Sequence, residues 1–211
     1  HLVAEGRVDT SDAEGWVRTE EGGLSPLAFL AESPLTCPDG RIREVAARWK
    51  REALLDPDGL FELARELGDA VVWEPGITTV EHDAAGALAL GRGVCQDHAH
   101  LFSSICRLHR IPARYVSGYL HTGESSVASH AWAEAWLGEE RGWFSVDVTN
   151  GTATGPKHCR LAVGRDYLDA GPVRGVRRGG GDEDLQVAVH VTGQPAPRHS
   201  RRERQQQERQ Q

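Results

Sequence analysis

Gly91-Arg92-Gly93-Val94-Cys95-Gln96-Asp97-His98-Ala99-His100-Leu101 opens a segment that runs on to His109, and beyond Pro112 the chain reads Tyr115-Val116-Ser117-Gly118-Tyr119-Leu120. The periodicity changes between the two. Cys95, Ala99, Phe102 and Cys106 recur at helical spacing, which predicts a helix over 94–109 with its apolar side turned inward. The glycines just ahead break what precedes and place Cys95 in the first helical turn. Past Pro112 the period becomes two, and the chain reads as strand over 115–120.

Working outward, more strands follow. Residues 130–137 alternate, with His130, Trp132, Glu134 and Trp136 on one face; 143–148, 159–163 and 185–191 read the same way. Upstream the signals are helical. Asp39 can cap a helix carrying Ile42, Val45, Ala46 and Trp49, and Asp56-Pro57 can start another with Leu60, Phe61, Ala64 and Leu67 as its stripe. Residues 83–90 read as a third short helix. Helices followed by a run of antiparallel strands predict an α+β domain. The expected organisation is a remnant of a preceding β-rich domain and linker over 1–24, a core over 25–194, and a disordered Arg/Gln-rich tail over 195–211.

Composition narrows the function classes. The 211 residues carry a formal net charge of -7, and only two of the 24 basic residues are lysines, Lys50 and Lys157. No basic stripe runs through the body, which argues against nucleic acid as a partner. No stretch approaches the ~18 apolar residues of a membrane span. The chain opens at His1 and holds no methionine, so it reads as a fragment or processed form whose secretion signal, if any, would lie ahead of His1. The cysteines (Cys37, Cys95, Cys106, Cys159) show neither CxxC nor regular spacing, which suggests a cytoplasmic thiol protein rather than a disulfide framework or zinc ribbon.

Three residues can carry chemistry in chain order. Cys95 at a helix start has a dipole that favours its thiolate. His130 can serve as base and later as acid, and a carboxylate or amide must orient it. The third member depends on one turn. If 138–141 form a four-residue loop, Leu137 pairs with Gly142 and Asp147 faces Trp132, one pleat from His130, a diagonal of ~7–8 Å that two side chains can bridge. A five-residue loop instead sets Asn150, the only asparagine, opposite His130. Spacing alone leaves both open.

These stretches resemble the bacterial transglutaminase-like superfamily, in its cysteine peptidase branch. Residues 91–101 resemble its nucleophile motif. Ser129-His130-Ala131-Trp132-Ala133-Glu134-Ala135-Trp136 resembles its His strand, and Gly142-Trp143-Phe144-Ser145-Val146-Asp147 its Asp strand. Gly164-Arg165-Asp166-Tyr167-Leu168-Asp169 with Pro172-Val173-Arg174-Gly175 resembles a loop of the bacterial branch. The resemblance implies a papain-like α+β core with Cys95, His130 and Asp147 as catalytic residues, and it favours Asp147 over Asn150. It also implies a β-rich domain ahead of the core. The usual aromatic after Gln-Asp is His98 here. By the same resemblance Trp73, 22 residues before Cys95, is an oxyanion-hole candidate beside the Cys95 backbone N–H, although core packing competes for it.

Plainer readings stand beside these. Cys37, Cys106 and Cys159 read as small buried hydrophobes, and Arg165 with Asp166 as a buried structural pair. His98 and His100 read as packing or surface residues rather than ligands, so neither a metal nor any other cofactor is expected. Asp97 reads as a group bonding backbone N–H near the helix start. The expected activity is a thiol enzyme acting on amide bonds of a peptide or protein substrate, with hydrolysis favoured. The alternatives are a protein-glutamine transglutaminase and, in another class, a non-catalytic binding module on the same fold.

Overall fold

Local sequence sets most of the helix ends. The computed structural model describes residues 6–17, 23–123, 129–171 and 179. Its helices are α1 (Gly40–Ala46), α2 (Arg51–Leu54), α3 (Pro57–Ala70), α4 (Ala84–Leu90), α5 (Cys95–Leu108) and the short α6 (Tyr167–Ala170). Asp39 caps α1 by accepting from the Ile42 N–H at 2.9 Å, and Asp83 caps α4 by accepting from the Gly86 N–H at 2.7 Å. Gly91 closes α4 at φ 69°, a left-handed position that favours glycine. α3 buries the stripe Leu60, Leu63, Ala64 and Leu67. α5 differs: it is buried from Gln96 to Arg107, because the sheet covers one side and α1, α3 and α4 pack on it as well.

The strands are β1 (Trp16–Val17), β2 (Val72–Trp73), β3 (Arg92–Gly93), β4 (Ala113–Leu120), β5 (Ser129–Trp136), β6 (Trp143–Asp147), β7 (Thr152–Ala153) and β8 (His158–Gly164). The main sheet runs β1-β6-β5-β4-β8, antiparallel throughout, and β7 shares the outer edge of β6 with β1. β2 and β3 form a separate parallel pair that leads into α5. The architecture is α+β, helices packed on an antiparallel half-barrel.

One hairpin register positions everything that follows. Trp136 pairs with Trp143 and Ala133 with Val146, and the Leu137 N–H donates to the Gly142 carbonyl at 2.9 Å. The β5–β6 turn therefore holds residues 138–141, the four-residue alternative. In this register Asp147 stands across from Trp132, on the same face as His130.

After Asp147 the chain turns back as β7 and then crosses to begin β8 beyond β4. β4 carries a bulge at Ser117/Gly118. A Cβ at Gly118 would lie 2.3 Å from both the Trp132 ring and the Cys159 carbonyl. Glycine at this point lets the Trp132 indole lie across β4 and meet the His158 ring edge-on, with centroids 5.3 Å apart.

Several expectations take a different form here. Trp16–Val17, within the segment read as preceding the core, pairs with Trp143 and Phe144 on the edge of the main sheet. All four cysteines are free; Cys106 is buried as expected, but Cys37 is exposed and Cys159 half-buried. Arg165 pairs with Asp169 rather than with Asp166, and the buried Asp166 caps α6 by accepting from the Leu168 N–H. The expected strand over 185–191, the first five residues of the segment read as preceding the core, Pro172 to Gly175 and the tail from 195 lie outside the described residues. Among the described residues no helix is long and apolar enough to cross a membrane.

Gly118→Ala should lower the unfolding free energy by about 2–3 kcal/mol, the cost of overpacking a site closed by backbone on one side and an indole on the other. Urea denaturation measures this. An unchanged midpoint would mean that the Trp132 ring moves aside freely.

Candidate active site

Cys95 is the first residue of α5, where backbone N–H groups have no partner inside the helix. The approach to it is tightly built. Asp97 reaches back so that its Oδ2 accepts from the Val94 N–H and from the Thr78 hydroxyl, both at 2.7 Å. A Cβ on Gly93 would lie 2.8 Å from that oxygen, so only glycine lets Asp97 fold over the loop. The Gly93 carbonyl in turn accepts from the Glu74 N–H at 2.8 Å, which ties the loop to β2.

His130 stands on β5 and Asp147 at the end of β6. His130 Nε2 lies 2.8 Å from Asp147 Oδ2, and the Cys95 side chain lies near enough to act on the His130 ring. Since Nε2 is engaged by the carboxylate, Nδ1 is the nitrogen left to face the sulfur. The structure thus brings Cys95, His130 and Asp147 together. Trp73 lies on β2 opposite Gly93, 53% exposed rather than packed in the core.

Asp147 is fully buried and gathers donors from three directions. Besides His130, its Oδ2 accepts from Asn150 Nδ2 at 2.7 Å and lies 3.0 Å from His158 Nε2. Its Oδ1 accepts from the Asn150 N–H at 3.2 Å. Asn150 therefore supports the carboxylate and does not face His130 in its place. Burial by itself would raise the Asp147 pKa, but the hydrogen bonds from His130, His158 and Asn150 and the charge on His130 hold it well below the usual carboxylate range. Burial likewise works against a charged His130, yet the hydrogen bond to Asp147, the nearby Cys95 and the charges of both outweigh it and raise its pKa to about 9.

His98 joins these elements. Its Nε2 donates to the Val71 carbonyl at 2.7 Å, so its Nδ1 accepts from the Thr149 hydroxyl at 3.0 Å. One buried ring thereby ties α5 to the start of β2 and to the turn after Asp147. Burial lowers its pKa and keeps it neutral.

His158 escaped the reading of the sequence, where the strand was expected from 159. No motif marks it. His130, Asp147 and His158 present ligand atoms within 4.8 Å of one another, a spacing that suits a metal ion. The tautomer of His158 argues against one. Its Nδ1 accepts from the Gly155 N–H at 3.1 Å, so in the neutral ring the proton sits on Nε2, and that nitrogen has no lone pair to offer.

The Transglutaminase-like superfamily core matches residues 44–148, a span holding Cys95, His130 and Asp147. The chain carries a core of the transglutaminase-like superfamily. Curated relatives of this transglutaminase-like chain come from mycobacteria. The uncharacterized protein ML0607 of Mycobacterium leprae is 43% identical over 125 residues, covering 56% of this chain and 44% of the relative. Rv2569c of Mycobacterium tuberculosis is 30% identical over 176 residues, covering 76% of this chain and 56% of the relative. The chain thus spans about half the length of the curated relatives it matches. Among solved structures, a proposed cysteine protease from Cytophaga hutchinsonii superposes with a TM-score of 0.55 at 23% identity, over 75% of this chain and 53% of that one. That likeness supports the fold.

The raised His130 pKa has a sign that can be checked. An unfolded histidine titrates near 6.5. The stabilisation tied to the His130 charge is therefore complete below pH 6.5 and is lost as pH rises through about 9. An NMR titration should show the His130 ring protonated at pH 7.5. Asp147→Asn should lower its midpoint and flatten the fall in unfolding free energy over that window. A His130 midpoint near 6.5 in the parent protein would contradict the hydrogen-bonded arrangement.

Proposed function

We propose that this chain is a thiol enzyme that hydrolyses amide bonds in a peptide or protein substrate through Cys95, His130 and Asp147. The observation that carries the reading is the His130 ring, hydrogen-bonded to the buried Asp147 carboxylate and beside the Cys95 side chain. A ring that carries charge at neutral pH stabilises negative charge on the sulfur it faces, and the N-terminus of α5 adds to this.

The steps follow from those positions. The Cys95 sulfur forms a bond to the substrate carbonyl carbon, and the carbonyl oxygen takes up negative charge. The Cys95 backbone N–H, which has no partner within α5, can donate to that oxygen. His130 gives its Nδ1 proton to the leaving nitrogen, the C–N bond breaks, and an acyl-thioester remains on Cys95. Water then attacks the thioester while neutral His130 accepts a proton from it, and the acid leaves as the sulfur is released. Asp147 keeps the ring oriented through both halves.

The experiment needs no knowledge of the natural substrate. p-Nitrophenyl acetate should give a burst of nitrophenolate and an acetyl adduct on the peptide containing Cys95, seen by mass spectrometry. Cys95→Ala should abolish the burst. Asp147→Ala should slow acylation about a hundredfold or more, and Asn150→Ala far less, since it removes one neutral donor and leaves the backbone N–H and the charge in place. Slow breakdown in water with rapid breakdown on adding a primary amine would point to acyl transfer instead. No adduct on Cys95 would leave a binding module on this fold as the better reading.

A further inference from the structure

We propose that His158 is a positioning residue of this site, a ring locked in one tautomer that donates a fixed hydrogen bond to Asp147 and holds the carboxylate against His130. The inference rests on the Cys95–His130–Asp147 reading above and adds a fourth side chain to it.

The lock is visible on both sides of the ring. Gly155 N–H points at His158 Nδ1 from 3.1 Å, and Asp147 Oδ2 lies 3.0 Å from Nε2. A backbone N–H can only donate, so neutral His158 has its proton on Nε2 and directs it at the carboxylate. The Trp132 indole packs edge-on against the same ring, at 80° between planes. The ring is therefore held by packing, by a donor behind and by an acceptor in front.

The chemistry gives this bond a purpose. The Asp147 carboxylate is fully buried, and such a charge needs donors at every stage of the cycle. While His130 is charged, the pair supports itself. Once His130 has given its Nδ1 proton to the leaving nitrogen, the ring is neutral and the carboxylate loses its cation. The donors that do not change during the reaction are then His158 Nε2–H and the two N–H groups of Asn150. They keep the carboxylate ionised and in place, so that it does not draw the remaining Nε2 proton off His130. Two further titratable groups among the described residues act on this pair: Cys95, which faces His130, and His98, whose burial favours its neutral form.

The placement comes from the fold. Segment 148–157 leaves β6, folds back as β7 and crosses to β8, and His158 is the first residue of β8. Gly118 has no side chain between Trp132 and the β8 backbone, so the two histidine rings approach to 6.2 Å between centroids.

Alkylation of Cys95 by iodoacetamide tests this on the whole chain, followed by mass spectrometry of the Cys95 peptide at about pH 6 and about pH 9.5. At the lower pH the rate depends on the charged His130 being held beside the sulfur; at the higher pH it reports access alone. His158→Phe keeps a ring and removes the donor. It should slow alkylation about tenfold at the lower pH, the worth of one hydrogen bond to a charged group, and change the rate at the higher pH by less than about twofold. His158→Gln, whose amide N–H reaches about as far as Nε2, should restore most of the rate.

If His158→Phe does not fold, as seen by near-ultraviolet circular dichroism, the comparison of His158→Gln with His158→Asn decides, because the shorter asparagine cannot reach Asp147. An unchanged rate at the lower pH in the Phe or Asn variant overturns the proposal. So does an equal loss at both pH values, which would mean that His158 only shapes the pocket. His130→Ala separates the two readings. If it slows alkylation at the lower pH and the His158 variants do not, only the His158 assignment falls. If His130→Ala itself has no effect, the three-residue reading falls with it.

Discussion

A carboxylate removed from water costs several kcal/mol unless donors surround it. Asp147 meets that condition with four hydrogen bonds, drawn from β5, from the turn after β6 and from the first residue of β8. These segments belong to different elements of the sheet and its connections, and could not each drift without exposing the charge or leaving it unpaired. The half-barrel is thus closed around one ionised group, and the high pKa of His130 follows from the same closure. His130 holds its proton because the buried carboxylate it faces favours the charged ring.

The nucleophile side is registered separately. α5 is buried along nearly its whole length, so its start cannot shift without disturbing the core on two sides. Asp97 secures the loop that enters it, and Gly93 makes room for that contact. His98 then links the helix to the turn after Asp147 through Thr149. A phenylalanine at this position could fill the space but could not make either hydrogen bond. In this chain, packing is replaced by a polar tie between the two halves of the site.

The transglutaminase-like core sets a scaffold, and scaffolds of this kind do not by themselves fix a reaction. What distinguishes a hydrolase from an acyl transferase is which nucleophile reaches the thioester. Trp73, exposed on β2, is paired with the strand that leads into α5.

Much of this was legible in the sequence, because it is local. The helix starts at Asp39 and Asp56, the break at Gly91 and the helical spacing from Cys95 all act within a few residues. The alternation in 130–137 and 143–148 put His130 and Asp147 on strands, and parity reduced their relation to two possible turns. Choosing between the turns took a resemblance for the sequence and a register for the structure. His158 was beyond reach of any local rule. It meets Asp147 only because the sheet curves and the segment after β7 crosses its open end. The same holds for Trp16–Val17, whose place on the edge of β6 depends on where that edge lies. Hydrophobic period and capping are properties of a single chain segment, and the sequence by itself determined those. Which buried donors converge on one carboxylate is a property of how segments pack, and it emerges once the sheet and its crossing segments are assembled.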